Sequence, residues 1–156
     1  MEKALDFQAF YSAQYQRVFK AIYLSGGDPE LAHDITQEAF KLAFVRWRRL
    51  SRHEWAGGWV MTTALNLLRK ERRRPQEVHL DPVKHDSRTR LGESDQDLQN
   101  ALRKLPVRQR TAILLYYLAD LPVPAVAQMM GVAEGTVKAS LSQARSKLQQ
   151  ALADKP

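Results

Sequence analysis

Cysteine is absent from this chain of 156 residues, which excludes disulfides and thiolate chemistry and leaves any zinc site to histidine and carboxylate alone. Long apolar runs are absent too. Nothing approaches the ~18 residues that a membrane span needs, and Met1-Glu2-Lys3-Ala4-Leu5-Asp6 lacks the apolar core of a signal peptide. An intracellular, cytoplasmic protein without membrane insertion is therefore expected. No segment alternates apolar and polar residues between turn signals, so the chain reads as all-α. It carries no nucleophile–base–acid set and no glycine-rich phosphate loop, and neither enzymatic activity nor a cofactor is expected. His33-Asp34 is a pair met in metal-dependent phosphohydrolases, but His53, His79 and His85 fall in loop-like sequence without ligand spacing, and no metal site is expected.

What the chain does have is positive charge in two blocks. Lys and Arg number 24 against 17 Asp and Glu. Residues 1–45 are net −2, residues 46–74 net +7, residues 75–97 net −3, and residues 98–156 net +5. Two basic blocks around an acidic segment suggest two surfaces that meet a polyanion and a linker that does not.

Between Asp6 and Leu24, Phe7, Phe10, Tyr11, Tyr15, Val18, Phe19 and Ile22 recur at three- and four-residue spacing and predict an amphipathic helix with a wide aromatic face. Ser25-Gly26-Gly27 ends it. Asp28-Pro29-Glu30 starts the next helix with an oxygen cap, a proline at the first position and an acid near the positive dipole end. That helix is expected to run to about Arg49. Leu31, Ile35, Ala39, Leu42 and Ala43 form one apolar stripe, Phe40, Phe44 and Trp47 a second, and Asp34, Gln37, Glu38 and Lys41 the polar face. A basic, aromatic connection, Arg46 to Trp55, follows. Gly57-Gly58 are expected to precede a third helix with Trp59, Val60, Thr63, Ala64, Leu67 and Leu68 inward. Its other face and end carry Asn66, Arg69, Lys70, Arg72, Arg73 and Arg74. Part of that cluster suits a helix C-terminus without any ligand. Basic side chains interleaved with tryptophans also fit a surface that neutralises phosphates and stacks on unpaired bases.

Residues 75–94 show no apolar period and read as a linker. Ser94-Asp95 opens a helix with Leu98, Ala101, Leu102 and Leu105 inward, and Pro106 starts another containing Ile113, Leu114, Tyr117 and Leu118. From Pro122 to Leu148 the pattern is a short helix, a turn at Gly131 and a longer helix. Ala127 is small enough to let the two cross closely, Gly131 supplies a positive φ, and Val137, Leu141, Ala144, Leu148 and Ala151 form the inward stripe. These offsets are those of a helix-turn-helix that binds DNA, and they also suit an αα-hairpin that only packs.

Four segments, in order, carry a resemblance to a family: Asp34-Ile35-Thr36-Gln37-Glu38-Ala39-Phe40; Trp59-Val60-Met61-Thr62-Thr63-Ala64-Leu65-Asn66 before the arginines; Leu105-Pro106-Val107-Arg108-Gln109-Arg110; and Gly135-Thr136-Val137-Lys138 with Gln143-Ala144-Arg145 and Leu148. Over nearly its whole length the chain resembles a group IV (extracytoplasmic-function) RNA polymerase sigma factor. The resemblance implies two small helical domains: a region 2-like bundle over residues 1–75, a linker over 76–94, and a region 4-like helix-turn-helix domain over 95–153.

It further implies that Asp34, Gln37, Glu38 and Phe40 dock on core RNA polymerase. Arg52, Trp55, Asn66, Arg69, Arg72 and Arg73 would hold the melted minus-ten element of promoter DNA. Thr136, Lys138, Ala139, Ser142, Gln143 and Arg145 would meet the minus-thirty-five element, and an anti-sigma protein would wedge between the domains. Ala139, Ser140 and Gln143 depart from the family's serine and arginines, and a lost bidentate base contact is worth ~1–3 kcal/mol. Two other readings stay open: a stand-alone helix-turn-helix regulator, and a polymerase-binding decoy without promoter activity.

Overall fold

The computed structural model describes residues 2–26, 28–73 and 93–153, and all the regular structure among them is helical. The N-terminal half holds α1 (Glu2–Leu24), α2 (Pro29–Val45), α3 (Trp47–Leu50) and α4 (Ala56–Arg73). The C-terminal half holds α5 (Glu93–Lys104), α6 (Val107–Tyr117), α7 (Val123–Met130) and α8 (Glu134–Ala153). The expected linker falls almost wholly outside the described residues.

In the first half α1, α2 and α4 pack against one another. Asp28 caps α2 as its sequence requires, accepting from the Leu31 N–H at 2.9 Å with Pro29 at the first helical turn. The aromatic face of α1 closes on Phe40, which is fully buried beneath Phe10 and Tyr11 at ring-centroid distances of 5.9 and 4.9 Å. Burying a side chain of that size is worth about 1.5–3 kcal/mol.

Two element boundaries differ from those expected. The second helix ends at Val45, not Arg49; Arg46, at φ −100° and ψ 15°, separates it from α3. The break turns the Trp47 ring back onto Phe7 and Phe10, at 5.3 and 4.9 Å. Gly57 and Gly58 do not precede the third helix but lie inside α4, each facing a close neighbour. A Cβ on Gly57 would stand 2.7 Å from the Gln14 Oε1, and one on Gly58 would stand 2.7 Å from the Leu121 Cδ1.

In the second half α8 packs against α5, α6 and α7. Ala127 is buried where α7 meets the turn, and its carbonyl accepts from the Val132 N–H at 3.1 Å. Gly131 is left-handed at φ 69°, and Val137, Leu141 and Ala144 point inward, all as expected. Ala151 is exposed, so the stripe ends at half-buried Leu148; Tyr117 is also exposed. The two helical halves pack on each other: α5 packs on α1, α4 packs on α6 and α7, and buried apolar side chains run from one half into the other. Gln99 donates to the Tyr23 carbonyl at 2.6 Å and Arg72 to the Ser25 carbonyl, tying the end of α1 to α5 and α4.

Candidate nucleic-acid and partner surfaces

The solvent side of α2 exposes Asp34, Gln37, Glu38 and Lys41 at helical spacing. With Phe7, Tyr11, Phe40 and the exposed Phe44 they line an open groove of about 520 Å³. Gln37 donates to the Tyr11 hydroxyl at 3.0 Å, which steadies the amide over the groove. Phe40, at 2% exposure, supports this face from behind and offers a partner almost no surface of its own. His33 is engaged locally, hydrogen-bonded to the Tyr15 hydroxyl and packed on Phe19 at 4.5 Å.

A second surface forms where α2 breaks. Arg46, Arg48, Arg49 and Arg52 surround a concavity with Val45, and the Arg46 guanidinium lies over the Trp59 ring at 5.8 Å. Trp55 is half-buried in the following loop, where its backbone N–H donates to the His53 Nδ1 at 3.0 Å. Arg48 and Arg49 share this concavity with Arg52 but were not among the residues expected at the minus-ten element. Their signal was present in the Arg46-Trp47-Arg48-Arg49 run, and the break at Arg46 brings it together.

The basic end of α4 divides. Asn66 and Arg69 line a cleft of about 400 Å³ whose far wall is Val107, Arg108 and Thr111 of α6 with Met129, Met130 and Val132 of the helix-turn-helix. Arg72 reaches the Ser25 carbonyl; burial and then the charge of Arg103 lower its pKa. Arg73 is exposed. The structure therefore separates Arg52 and Trp55, on one loop, from Asn66 and Arg69, in the cleft between the halves.

On α8, helical geometry puts Ala139 and Ser142 at the centre of the exposed face, with Lys138 and Arg145 on one flank and Thr136 and Gln143 on the other. Both flanks reach α6. The Gln143 Oε1 accepts from the Gln109 Nε2 at 3.0 Å. The Arg145 Nε donates to the Tyr117 hydroxyl at 2.8 Å, and its guanidinium lies 5.6 and 5.5 Å from the Tyr116 and Tyr117 rings. Thus Lys138 and Arg145 are both exposed, but Arg145 is held by two tyrosines. Ser140 is 5% exposed and faces the core, so its departure from the family pattern falls at an inward position.

An all-helical chain with an exposed helix-turn-helix and a basic, tryptophan-bearing surface defines a DNA-directed protein, and comparison with known proteins identifies its class. Residues 95–148 match the family model described as Sigma-70, region 4. The chain is 31% identical over 136 residues to the ECF RNA polymerase sigma factor EcfG of Rhodopseudomonas palustris, covering 82% of this chain and 74% of that protein. It is 29% identical over 147 residues to the ECF RNA polymerase sigma factor SigM of Mycobacterium tuberculosis, covering 91% of this chain and 74% of that one.

Among solved structures, the fold is similar to the sigma factor RpoE of Bartonella quintana bound to the anti-sigma factor NepR. The TM-score is 0.74 at 21% identity, over 97% of this chain and 99% of that one. It is equally similar to CnrH in complex with the cytosolic domain of CnrY, at TM-score 0.74 and 20% identity, over 96% and 89% of the two chains. The chain belongs to the ECF RNA polymerase sigma factors, and its function is that of a bacterial transcription initiation factor.

Proposed function

We propose that residues 1–75 form the half that binds core RNA polymerase and opens the minus-ten element, and that residues 95–153 read the minus-thirty-five element, with 76–94 as the linker. The observation that carries this reading is the separation of one acidic groove from the basic surfaces. Asp34, Gln37 and Glu38, backed by Phe40, suit a basic protein partner, while the arginines suit phosphate. Arg52, Trp55, Asn66, Arg69, Arg72 and Arg73 serve the melted strand, since guanidinium and indole neutralise backbone charge and stack on unpaired bases. Arg48 and Arg49 join them. On α8, Thr136, Lys138, Ala139, Ser142 and Gln143 enter the major groove, with Arg145 at the edge.

The protein itself performs no covalent step. Strand opening is driven by contacts to bases once polymerase is bound, and the protein works in the cytoplasm. An anti-sigma protein restrains it by entering between the halves; the cleft beside Asn66 and Arg69, and the partner-bound state of the sigma factors of similar fold, support this. Similarity over α1–α4 as well as the helix-turn-helix favours a sigma factor over a stand-alone regulator.

Run-off transcription with purified core polymerase and a genomic fragment library tests the proposal. New discrete start sites are expected with this protein, and the Arg69→Ala/Arg72→Ala variant is expected to lose them while still binding polymerase. Polymerase binding without any start site would mean a decoy. No binding to polymerase, with tight duplex binding by the protein alone, would mean an operator-binding regulator.

A further inference from the structure

The arginines beside the cleft do more than line a DNA surface. Arg69 and Arg72 come from α4, Arg103 from the last turn of α5 and Arg110 from α6, so the cluster straddles the two halves. Arg72 and Arg103 converge on Gly26. A Cβ there would stand 2.9 Å from the Arg103 Nε and would collide with the Arg72 guanidinium. Arg110 is anchored through Nη1 to the carbonyls of Leu102, Arg103 and Leu105 at 3.3, 3.2 and 3.4 Å, and Arg72 is anchored to the Ser25 carbonyl. Each is thus held by backbone at the C-terminal end of a helix, where carbonyl dipoles favour a cation.

Arg69, Arg72 and Arg110, with Thr111 and Ser25, also border a cavity of about 30 Å³ walled by Leu65, Leu68 and Val107. That is the volume of one water, so a larger anion caps the mouth and does not enter. The pKa of Arg110 is lowered by burial and then by the charges of Arg72, Arg69 and Arg103, a sign of mutual repulsion across the seam. Arg72 and Arg110, fixed in place by backbone and repelled by the neighbouring guanidiniums, are preorganised for an oxyanion, which a guanidinium can bind through paired N–H donors.

We propose that Arg69, Arg72, Arg103 and Arg110 form a binding site for a single phosphate group, which clamps the two halves of the chain together when occupied. Free phosphate, or the phosphate of a small phosphorylated molecule, is the ligand favoured. The site lies in the seam and its mouth is bordered by α4 on one side and α6 on the other, a setting that suits a compact anion.

The test is thermal unfolding of the full chain in inorganic phosphate and in chloride at matched ionic strength. For a ligand that binds only the folded state, the midpoint in phosphate is expected to exceed that in chloride by about 2–4 °C. Arg103→Gln is expected to abolish most of that difference, and Arg103→Lys to retain part of it. Arg103→Glu, which brings its own anion to the seam, is expected to raise the midpoint in chloride and to leave no response to phosphate. An equal response to phosphate in wild type and Arg103→Gln would overturn the site, because it would be a general salting effect. So would stabilisation by a short single-stranded oligonucleotide without any by phosphate, which would assign these arginines to nucleic acid alone.

Discussion

Gly58 of α4 and Leu121, in the turn between α6 and α7, meet so closely that the Leu121 Cδ1 occupies the place a Gly58 side chain would need, 2.7 Å from the Cβ position. Gly58 is buried and Leu121 is 3% exposed, so neither has room to withdraw. The contact joins the two halves of the molecule. Gly57 faces a different neighbour, the half-buried Gln14 amide, which is the flexible end of a long side chain.

These two glycines are expected to respond oppositely to alanine. Gly57→Ala gains up to about 1 kcal/mol of helix propensity once Gln14 turns aside. Gly58→Ala gains the same propensity but overpacks a buried leucine at a cost of about 1–3 kcal/mol, a net loss of up to about 2 kcal/mol. Urea denaturation of both variants checks this. In a double-mutant cycle, Leu121→Ala should cost less in the Gly58→Ala background than alone; additive costs would mean the contact is not made in solution.

Gly131 and Asp120 share a left-handed backbone and should also diverge. Gly131 has φ 69° with open space around its Cβ position, while Asp120 has φ 59°. Gly131→Ala is expected to lose about 1–2 kcal/mol from backbone strain alone, and Gly131→Asn less. Asp120→Gly relieves the same strain and is expected to be neutral or stabilising by up to about 1 kcal/mol. Thermal midpoints of the three variants decide it.

Lys138 is exposed near the start of α8 with no aromatic partner among the described residues, whereas Arg145, also exposed, is held by Tyr116 and Tyr117. Lys138→Ala in the holoenzyme is expected to weaken promoter binding and to lower the slope of log affinity against log salt by about 0.9, the signature of one phosphate contact. A change in sequence preference without a change in slope would instead mean a contact to a base edge.

Tyr15 makes the fold sensitive to alkali. Its pKa is raised from 10.0, first by burial and then by the charges of Tyr11 and Asp34. The folded state therefore holds this proton more tightly than the unfolded chain does. Its contribution is complete below pH about 10 and is lost as pH rises through the folded value. The thermal midpoint of the wild type should consequently fall more steeply above pH about 10 than that of Tyr15→Phe. Parallel curves would remove Tyr15 as the cause.

Much of this protein was legible from residue order because the signals are local. Asp28-Pro29 starts α2, Gly131 makes the turn, and Val137, Leu141 and Ala144 face inward, each for reasons that lie within a few residues of chain. The break at Arg46 was not legible, since it depends on Phe7 and Phe10, far away in sequence, drawing Trp47 back. Nor was the place of Gly57 and Gly58, which read as punctuation until Gln14 and Leu121 are seen against them.

The same division holds for the candidate surfaces. The sequence by itself determined which residue types were available: carboxylates on α2, arginines around α3 and at the end of α4, and a helix-turn-helix with Lys138 outward. Tertiary packing decided how they were shared out. It turned Asn66 and Arg69 toward the helix-turn-helix, tied Arg72 to the end of α1, held Arg145 on two tyrosines, and drew arginines from three helices into one seam. Periodicity fixes which face of a helix a residue occupies, but only the packing of one helix on another fixes what that face meets.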